Sequence, residues 1–366
     1  MRWPDIEGAN VRSAVSLAPF STLRVGGAAR RFVRAETPMH VALADAWAEE
    51  HRVPMFVLGG GSNVVIADEG FDGLVLQIGI AGCSVTEQGD ETFIRAAAGE
   101  SWDALVADAV ARGLCGLESL SGIPGSVGGT PIQNVGAYGQ EVSSTLVRVT
   151  AFDRQRHDMV TLSKDECEFG YRMSRFKAHD LGRFIVCAVT FALKHGAAAP
   201  TYPDVLRYLD ETRITTPTIA DVRAAVLAIR RRKGMVIDAN DSDSRSVGSF
   251  FTNPVVTREI RDRVSSVAGS EAPAYAIDAR DVKLAAAWLI ERSGLQKGLA
   301  DGPVGISTKH PLAIVNRGGA TARDVLRLAV RIKRQVADRF GVLLRTEPIF
   351  IGFGNNADVK YLQQDS

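Results

Sequence analysis

Three segments carry side chains able to hold or move charge. In Val247-Gly248-Ser249-Phe250-Phe251-Thr252-Asn253-Pro254 a serine and an asparagine lie beside two aromatics, after the polar run 238–245. Small polar groups set against an apolar wall are how a substrate pocket is built. The plainer reading is a buried aromatic turn with a structural serine. Ser249 has no histidine within sequence reach, so covalent catalysis is not favoured. In Phe169-Gly170-Tyr171-Arg172 the arginine stands among aromatics and small residues. It can hold a carboxylate by two parallel hydrogen bonds, or simply make a surface ion pair. Thr346-Glu347-Pro348 puts a carboxylate inside an apolar strand predicted over 342–351. Such a group is either paired or set at a site.

Glycine is the second signal. An apolar strand predicted over 53–58 ends at Leu58 and runs into Gly59-Gly60-Gly61-Ser62-Asn63, after which Val64-Val65-Ile66 resumes a strand. Adjacent glycines let backbone approach a ligand with no Cβ in the way. Their N–H groups can form a concavity for a pyrophosphate, while a hairpin turn is the plainer alternative. A Rossmann fingerprint would need glycine at Val64 and a helix after the turn. A Walker loop is excluded because no Gly-Lys pair occurs. Farther on, Gly122-Ile123-Pro124-Gly125-Ser126-Val127-Gly128-Gly129-Thr130-Pro131 continues into Ile132-Gln133-Asn134-Val135-Gly136-Ala137-Tyr138-Gly139. This is too rich in glycine for a helix or strand and too uncharged for a solvated loop. Two such stretches, about sixty residues apart, suit backbone wrapped around a large nucleotide such as FAD, whose flavin does hydride chemistry that side chains cannot.

The elements that must position these residues follow from periodicity. After an irregular lead-in over 1–20 and a short strand at Phe32-Val33, Thr37-Pro38 opens a helix with Val41, Ala44, Trp47 and Ala48 facing a core. Short strands fill 74–98, and Trp102, Leu105, Val106, Ala109 and Val110 mark a helix that Gly113 stops. Strands are predicted at 145–152 and 184–193, then a break at 196–200. Thr218 caps a helix with Val222, Ala225, Val226 and Ile229 on one face. It ends in Arg230-Arg231-Arg232-Lys233, by default a solvated basic end that suits the dipole. From about 235 to 341 a separate small α+β unit is expected. It holds a helix through Val282, Ala285, Ala286, Leu289 and Ile290, a strand at 312–315, and a long helix capped by Thr321 and ended by Gly341.

Composition narrows the class. A chain of 366 residues exceeds one ordinary core. With 46% hydrophobic and 23% charged residues and a net charge of +1, it reads as globular, with nothing to favour nucleic acid or an anionic membrane. No apolar run reaches the roughly 18 residues that span a bilayer. The start, Met1 to Glu7, lacks an apolar signal core, so a cytoplasmic location is expected. Cys83, Cys115, Cys167 and Cys187 form no Cys-x-x-Cys pair, and the histidines are scattered. Buried reduced thiols and no metal site are expected.

Six motifs in this order resemble the UDP-N-acetylenolpyruvoylglucosamine reductases, the MurB family, in its longer type I branch. They are Leu58 to Asn63, Gly122 to Gly129, Gln133 to Gly139, Phe169 to Arg172, Gly248 to Pro254, and Glu347-Pro348. The likeness runs from about Ser21 to Gly352. It implies an α+β protein: a PCMH-type, vanillyl-alcohol-oxidase-like FAD-binding domain over 21–195, in subdomains of about 21–78 and 79–195. A connecting loop and helix (196–234), a substrate-binding domain (235–341), and a C-terminal strand returning to the active site with a tail (342–366) would follow. FAD would contact Leu58, Gly59, Gly60, Gly61, Ser62, Asn63, Gly122, Ile123, Pro124, Gly125, Ser126, Gly128, Gly129, Thr130, Asn134, Gly136, Ala137, Tyr138 and Ile185.

The resemblance further implies NADPH as reductant and the enolpyruvyl ether of UDP-N-acetylglucosamine as substrate, reduced to UDP-N-acetylmuramate. The family's catalytic serine, arginine and glutamate fall on Ser249, Arg172 and Glu347. Hydride would come from the flavin N5 and the proton from Ser249. Tyr171, Tyr202, Lys233 and Asn253 match substrate contacts, with Tyr202 in a substrate-covering loop. A monomer is expected. Met173 and Thr346 depart from the family's usual residues, and neither removes a reacting group. Two alternatives stand beside this reading. A flavin oxidase of the same superfamily often tethers its flavin through a histidine, and neither glycine-rich stretch has one. A non-catalytic flavin-binding protein would be favoured if Ser249, Arg172 or Glu347 were missing.

Overall fold

The computed structural model describes residues 10–364. The chain forms two compact units that interleave in sequence. The first takes the described residues through Val15, then Ala29–Gly61 and Asp72–Arg232. The second takes Ser16–Ala28, Ser62–Phe71 and everything from Lys233 onward. The expected boundary at 234 lies two residues from the division at Arg232/Lys233, whereas no division falls at 195 or 341. The lead-in is also not irregular beyond residue 9. Arg12–Ser16 is an edge strand of the four-stranded sheet Arg12–Ser16, Ala28–Ala35, Phe71–Ile78, Met55–Leu58. The start Met1 to Glu7 lies outside the described residues.

In the first unit, helix α1 (Pro38–Glu50) begins where Thr37 is extended and its hydroxyl accepts the His40 N–H at 3.2 Å. Val41, Ala44, Trp47 and Ala48 are buried at helical spacing. Helix α2 (Trp102–Ala111) buries Trp102 completely, and its indole donates to the Leu120 carbonyl at 3.1 Å. The main sheet is antiparallel, in the order Asp158–Ser163, Leu146–Asp153, Phe184–His195, Glu91–Ala97, Cys83–Gln88. Its central strand is buried without a break from Ile185 to Phe191, so both faces are covered. Helices α3 (Pro203–Glu211) and α4 (Ile219–Arg232) form a pair with Val205 and Leu209 against Val222, Ala225, Val226 and Ile229. Helix α3 replaces the expected loop.

The second unit is built on α7 (Ala322–Phe340), which follows α5 (Arg258–Ala268) and α6 (Ala286–Arg292) and precedes α8 (Ala357–Gln363). Thr321 and Asp324 form a reciprocal capping box, and Gly341 ends the helix at φ +64°. Asp68, from the inserted segment 62–71, accepts the next two free amides, Ala322 at 2.7 Å and Arg323 at 3.1 Å.

Two expected elements differ. Val282 is on strand Asp281–Leu284, and the helix starts only at Ala286. The segment 342–351 is not one strand. Thr252 N donates to Arg345 O and Glu347 N to Phe250 O, each at 2.9 Å. Past Pro348, which has no N–H, only Ile349–Ile351 is a strand, parallel to Val64–Ile66. Strands Met55–Leu58 and Val64–Ile66 belong to different sheets, so the glycines between them are not a hairpin turn.

Candidate active site

In the first unit the two glycine-rich stretches touch. A Cβ at Gly60 would fall 2.6 Å from Gly125 Cα, and one at Gly59 would fall 2.8 Å from Ser126 Oγ. Gly61 and Gly125 turn the chain at φ +65° and +124°. The Ser126 hydroxyl is buried beneath this contact and has no hydrogen-bond partner among the described residues. Gly128 lies against Ala98, where a Cβ would meet Ala98 Cβ at 2.5 Å. The start of the second stretch is tied down by Asp103, which accepts Gly122 N at 2.6 Å. Arg223 grips the same carboxylate at 2.6 and 3.0 Å. Burial pushes Asp103 upward, but these bonds from Arg223 and Gly122 outweigh it and hold the carboxyl below its usual range.

Arg172 sits on a tight turn. Gly170 and Met173 exchange backbone bonds at 3.0 and 3.2 Å, and Arg172 itself has φ +54°. Its Nη2 donates to Gly136 O at 2.6 Å, and its guanidinium lies 5.5 Å from the Tyr171 ring centre. Buried Asn134 fixes the turn. Its Nδ2 donates to Gly170 O at 3.1 Å and to Glu141 at 2.9 Å, and its Oδ1 accepts Ser143 N at 3.0 Å. The Asn134 side chain thus holds the Arg172 turn in place, with both Nδ2 hydrogens and one Oδ1 acceptor position used within the protein. Thr130 likewise turns its hydroxyl inward, to Val127 O at 2.7 Å. The exposed Met173 contributes backbone alone to the turn. Leu58 and Ile185 are buried apolar side chains. Tyr138 meets Tyr202, the residue before α3, edge to face at 5.3 Å. Arg230 is not a solvated end. Burial lowers it below its ordinary value, against the opposing pull of Tyr138 and Asp103. Nothing in the basic run 230–233 distinguishes it in sequence.

In the second unit Ser249 and Glu347 come together. Phe250 and Phe251 are fully buried, Phe250 N donates to Leu312 O at 2.8 Å, and Glu347 N donates to Phe250 O at 2.9 Å. Serine and glutamate therefore ride on neighbouring paired segments. Asn63 Nδ2 donates to Glu347 O at 3.2 Å, and Ile349 N donates to Asn63 O at 3.0 Å. This role of Asn63 was not legible in sequence. Ser249 is half-buried, and its hydroxyl makes no hydrogen bond among the described residues. Asn253 Oδ1 accepts Ala286 N at 2.9 Å and so caps α6, leaving its amide NH2 for a ligand. Lys233 is half-buried. Arg172, Tyr171 and Tyr202 belong to the first unit, and Ser249, Glu347, Asn253 and Lys233 to the second.

Comparison with known proteins agrees with both units. Residues 240–351 match the UDP-N-acetylenolpyruvoylglucosamine reductase C-terminal domain, and 29–162 match an FAD binding domain. The reductase of that name from Thermobifida fusca is 47% identical over 347 residues, covering 92% of this chain and 97% of the relative. This chain belongs to the UDP-N-acetylenolpyruvoylglucosamine reductase family. The Mycobacterium tuberculosis reductase is 44% identical over 359 residues, covering 94% and 96%. The crystal structure of the Thermus caldophilus reductase (MurB) has 27% identity and a TM-score of 0.62, covering 94% of this chain and 98% of that one. The expected α+β fold class, with an FAD-binding domain, stands.

The first unit fits FAD. The buried Ser126 hydroxyl still has hydrogen-bonding capacity to satisfy, and Gly59 and Gly60 let the two glycine-rich backbones meet beside it with no Cβ between them.

Proposed function

We infer that the protein reduces the enolpyruvyl ether of UDP-N-acetylglucosamine to UDP-N-acetylmuramate, a peptidoglycan precursor, with FAD as its cofactor and NADPH as reductant. The observation that carries the chemistry is the pairing of Phe250 with Glu347, which sets Ser249 and Glu347 on adjacent backbone with the serine hydroxyl uncommitted. Gly59, Gly60, Gly125 and Ser126 would hold FAD. When bound, FAD supplies the hydride-transfer chemistry that side chains lack.

The remaining work falls to this chain. Negative charge grows on the carbon beside the substrate carboxylate and spreads into that group. Arg172, kept in line by Gly136 O and the pinned turn, holds the carboxylate as a fixed cation. Glu347 acts with Arg172 in stabilising the enolate-like carboxylate. Ser249 Oγ gives its proton to the carbanionic carbon, a base strong enough to take it from a weak acid. Tyr202, Lys233 and Asn253 bind the nucleotide sugar. The reading includes a cytoplasmic location and a monomeric working form, the latter open to light scattering.

Stopped-flow absorbance on Ser249→Ala tests it. Bleaching of bound flavin by NADPH keeps its wild-type rate, and recovery of colour on adding the enolpyruvyl substrate slows at least about 100-fold. A variant slowed only in the first step would show that Ser249 is not the acid.

A further inference from the structure

The sequence offers no metal-ligand spacing, yet folding gathers one set within the first unit. Asp45 and Glu49 are four residues apart on α1 and share a helix face. His157 comes from the turn between strands Leu146–Asp153 and Asp158–Ser163. That turn is well anchored. Asp153 Oδ1 accepts Gln155 N at 3.0 Å, Arg156 N donates to Asp153 O at 3.2 Å, and Arg183 grips Asp153 at 2.7 Å. His157 Nδ1 then lies 3.8 Å from Glu49 Oε2 and 4.0 Å from Asp45 Oδ2. The three ligand atoms lie within 4.8 Å of one another.

Asp45 supplies the independent sign. It is fully buried, and Arg154 Nε donates to its Oδ1 at 2.6 Å. Its Oδ2 is buried too, makes no hydrogen bond among the described residues, and faces the imidazole. A carboxylate oxygen removed from water without a partner carries an uncompensated desolvation cost. We propose that Asp45, Glu49 and His157 form a binding site for a divalent transition ion of the Zn2+ class. One imidazole nitrogen with two carboxylate oxygens suits Zn2+, whereas Mg2+ and Ca2+ prefer oxygen alone. Tetrahedral bonds of about 2.1 Å put ligand atoms roughly 3.4 Å apart. Rotation of the half-exposed Glu49 and His157 side chains closes the gap, and water takes the fourth position. Arg154 orients Asp45, as the hydrogen-bond partners of ligating carboxylates do. The ion joins α1 to the strand turn, so its role is structural.

The test is calorimetric titration of Zn2+ into the FAD-loaded protein after treatment with a chelator, with melting temperature read alongside. One ion binds per chain and raises the melting temperature. His157→Ala and Glu49→Gln are surface changes, and each weakens binding at least about tenfold and removes the rise. His179→Ala, at another surface histidine 3.3 Å from a carboxylate, leaves both intact. The proposal is overturned if no saturable site exists, or if binding survives unchanged in both His157→Ala and Glu49→Gln.

Discussion

Replacing Gly60 by alanine tests the contact between the glycine-rich stretches directly. The new methyl would sit 2.6 Å from Gly125 Cα, 2.8 Å from Gly125 C and 2.9 Å from Ser126 N. All three are backbone atoms, so no rotamer change relieves the clash. Ordinary van der Waals contact begins near 3.4 Å, so the stretches must part by about 0.8 Å. Overpacking of this kind costs about 1–3 kcal/mol. If bound FAD requires the stretches closed, its affinity falls roughly 5- to 150-fold. The assay is the ratio of flavin to protein absorbance after purification, followed by fluorescence titration with FAD. Gly89→Ala is the control. It has φ +63° with open space around it, so it adds backbone strain of about 1–2 kcal/mol without a clash. It lowers the melting temperature and keeps FAD affinity. A Gly60→Ala protein that binds FAD as tightly as the wild type would refute the touching stretches as the cofactor cradle.

Two further outcomes follow from titrating groups. The Arg183 guanidinium beside Asp153 holds that carboxyl below its usual range. Its stabilising contribution is therefore complete above the unfolded value of about 3.9 and lost as pH falls through the lower folded value. Melting temperatures measured down to about pH 3 should drop, with a shallower slope below about pH 4 in Asp153→Asn; equal slopes would count against the pair. Burial pushes the Cys167 thiol up to about 12 and the Cys187 thiol to about 11. Iodoacetamide at about pH 8 should leave both unmodified in the native protein and reach the exposed Cys83 first, as peptide mass mapping will show.

Much of the fold was legible where local chemistry is self-contained. Helix α7 announced itself by Thr321, Asp324, its apolar stripe and Gly341, all within its own sequence. Helix α3 did not, because Tyr202 gives no side-chain cap and the helix buries only Val205 and Leu209 along its length. Val282 was drawn into a helix by the apolar residues after it, although Val282 and Leu284 alternate with Asp281 and Lys283 at strand spacing. The strand over 342–351 failed as a single element because its backbone changes partner at Pro348, whose missing N–H was the local warning, while the identity of the two partners lay in distant segments. Cys83 is exposed and Cys115 half-buried, against the expectation of four buried thiols. Among site residues, type and order pointed to Ser249, Arg172 and Glu347. The pinning of Arg172 by Asn134 and of Glu347 by Asn63 depends on contacts between distant segments.

The pairing of Val64–Ile66 with Ile349–Ile351 also constrains how the chain is made. Asn63 waits for Glu347 across 284 residues. During synthesis the inserted segment 62–71 leaves the ribosome long before its partner strand, α7, or the amides that Asp68 caps. An apolar strand edge thus stays open through most of translation, the condition under which nascent chains aggregate. The second unit closes only when the last strand is released. Any truncation before Ile351 leaves that edge unpaired, however complete the first unit is.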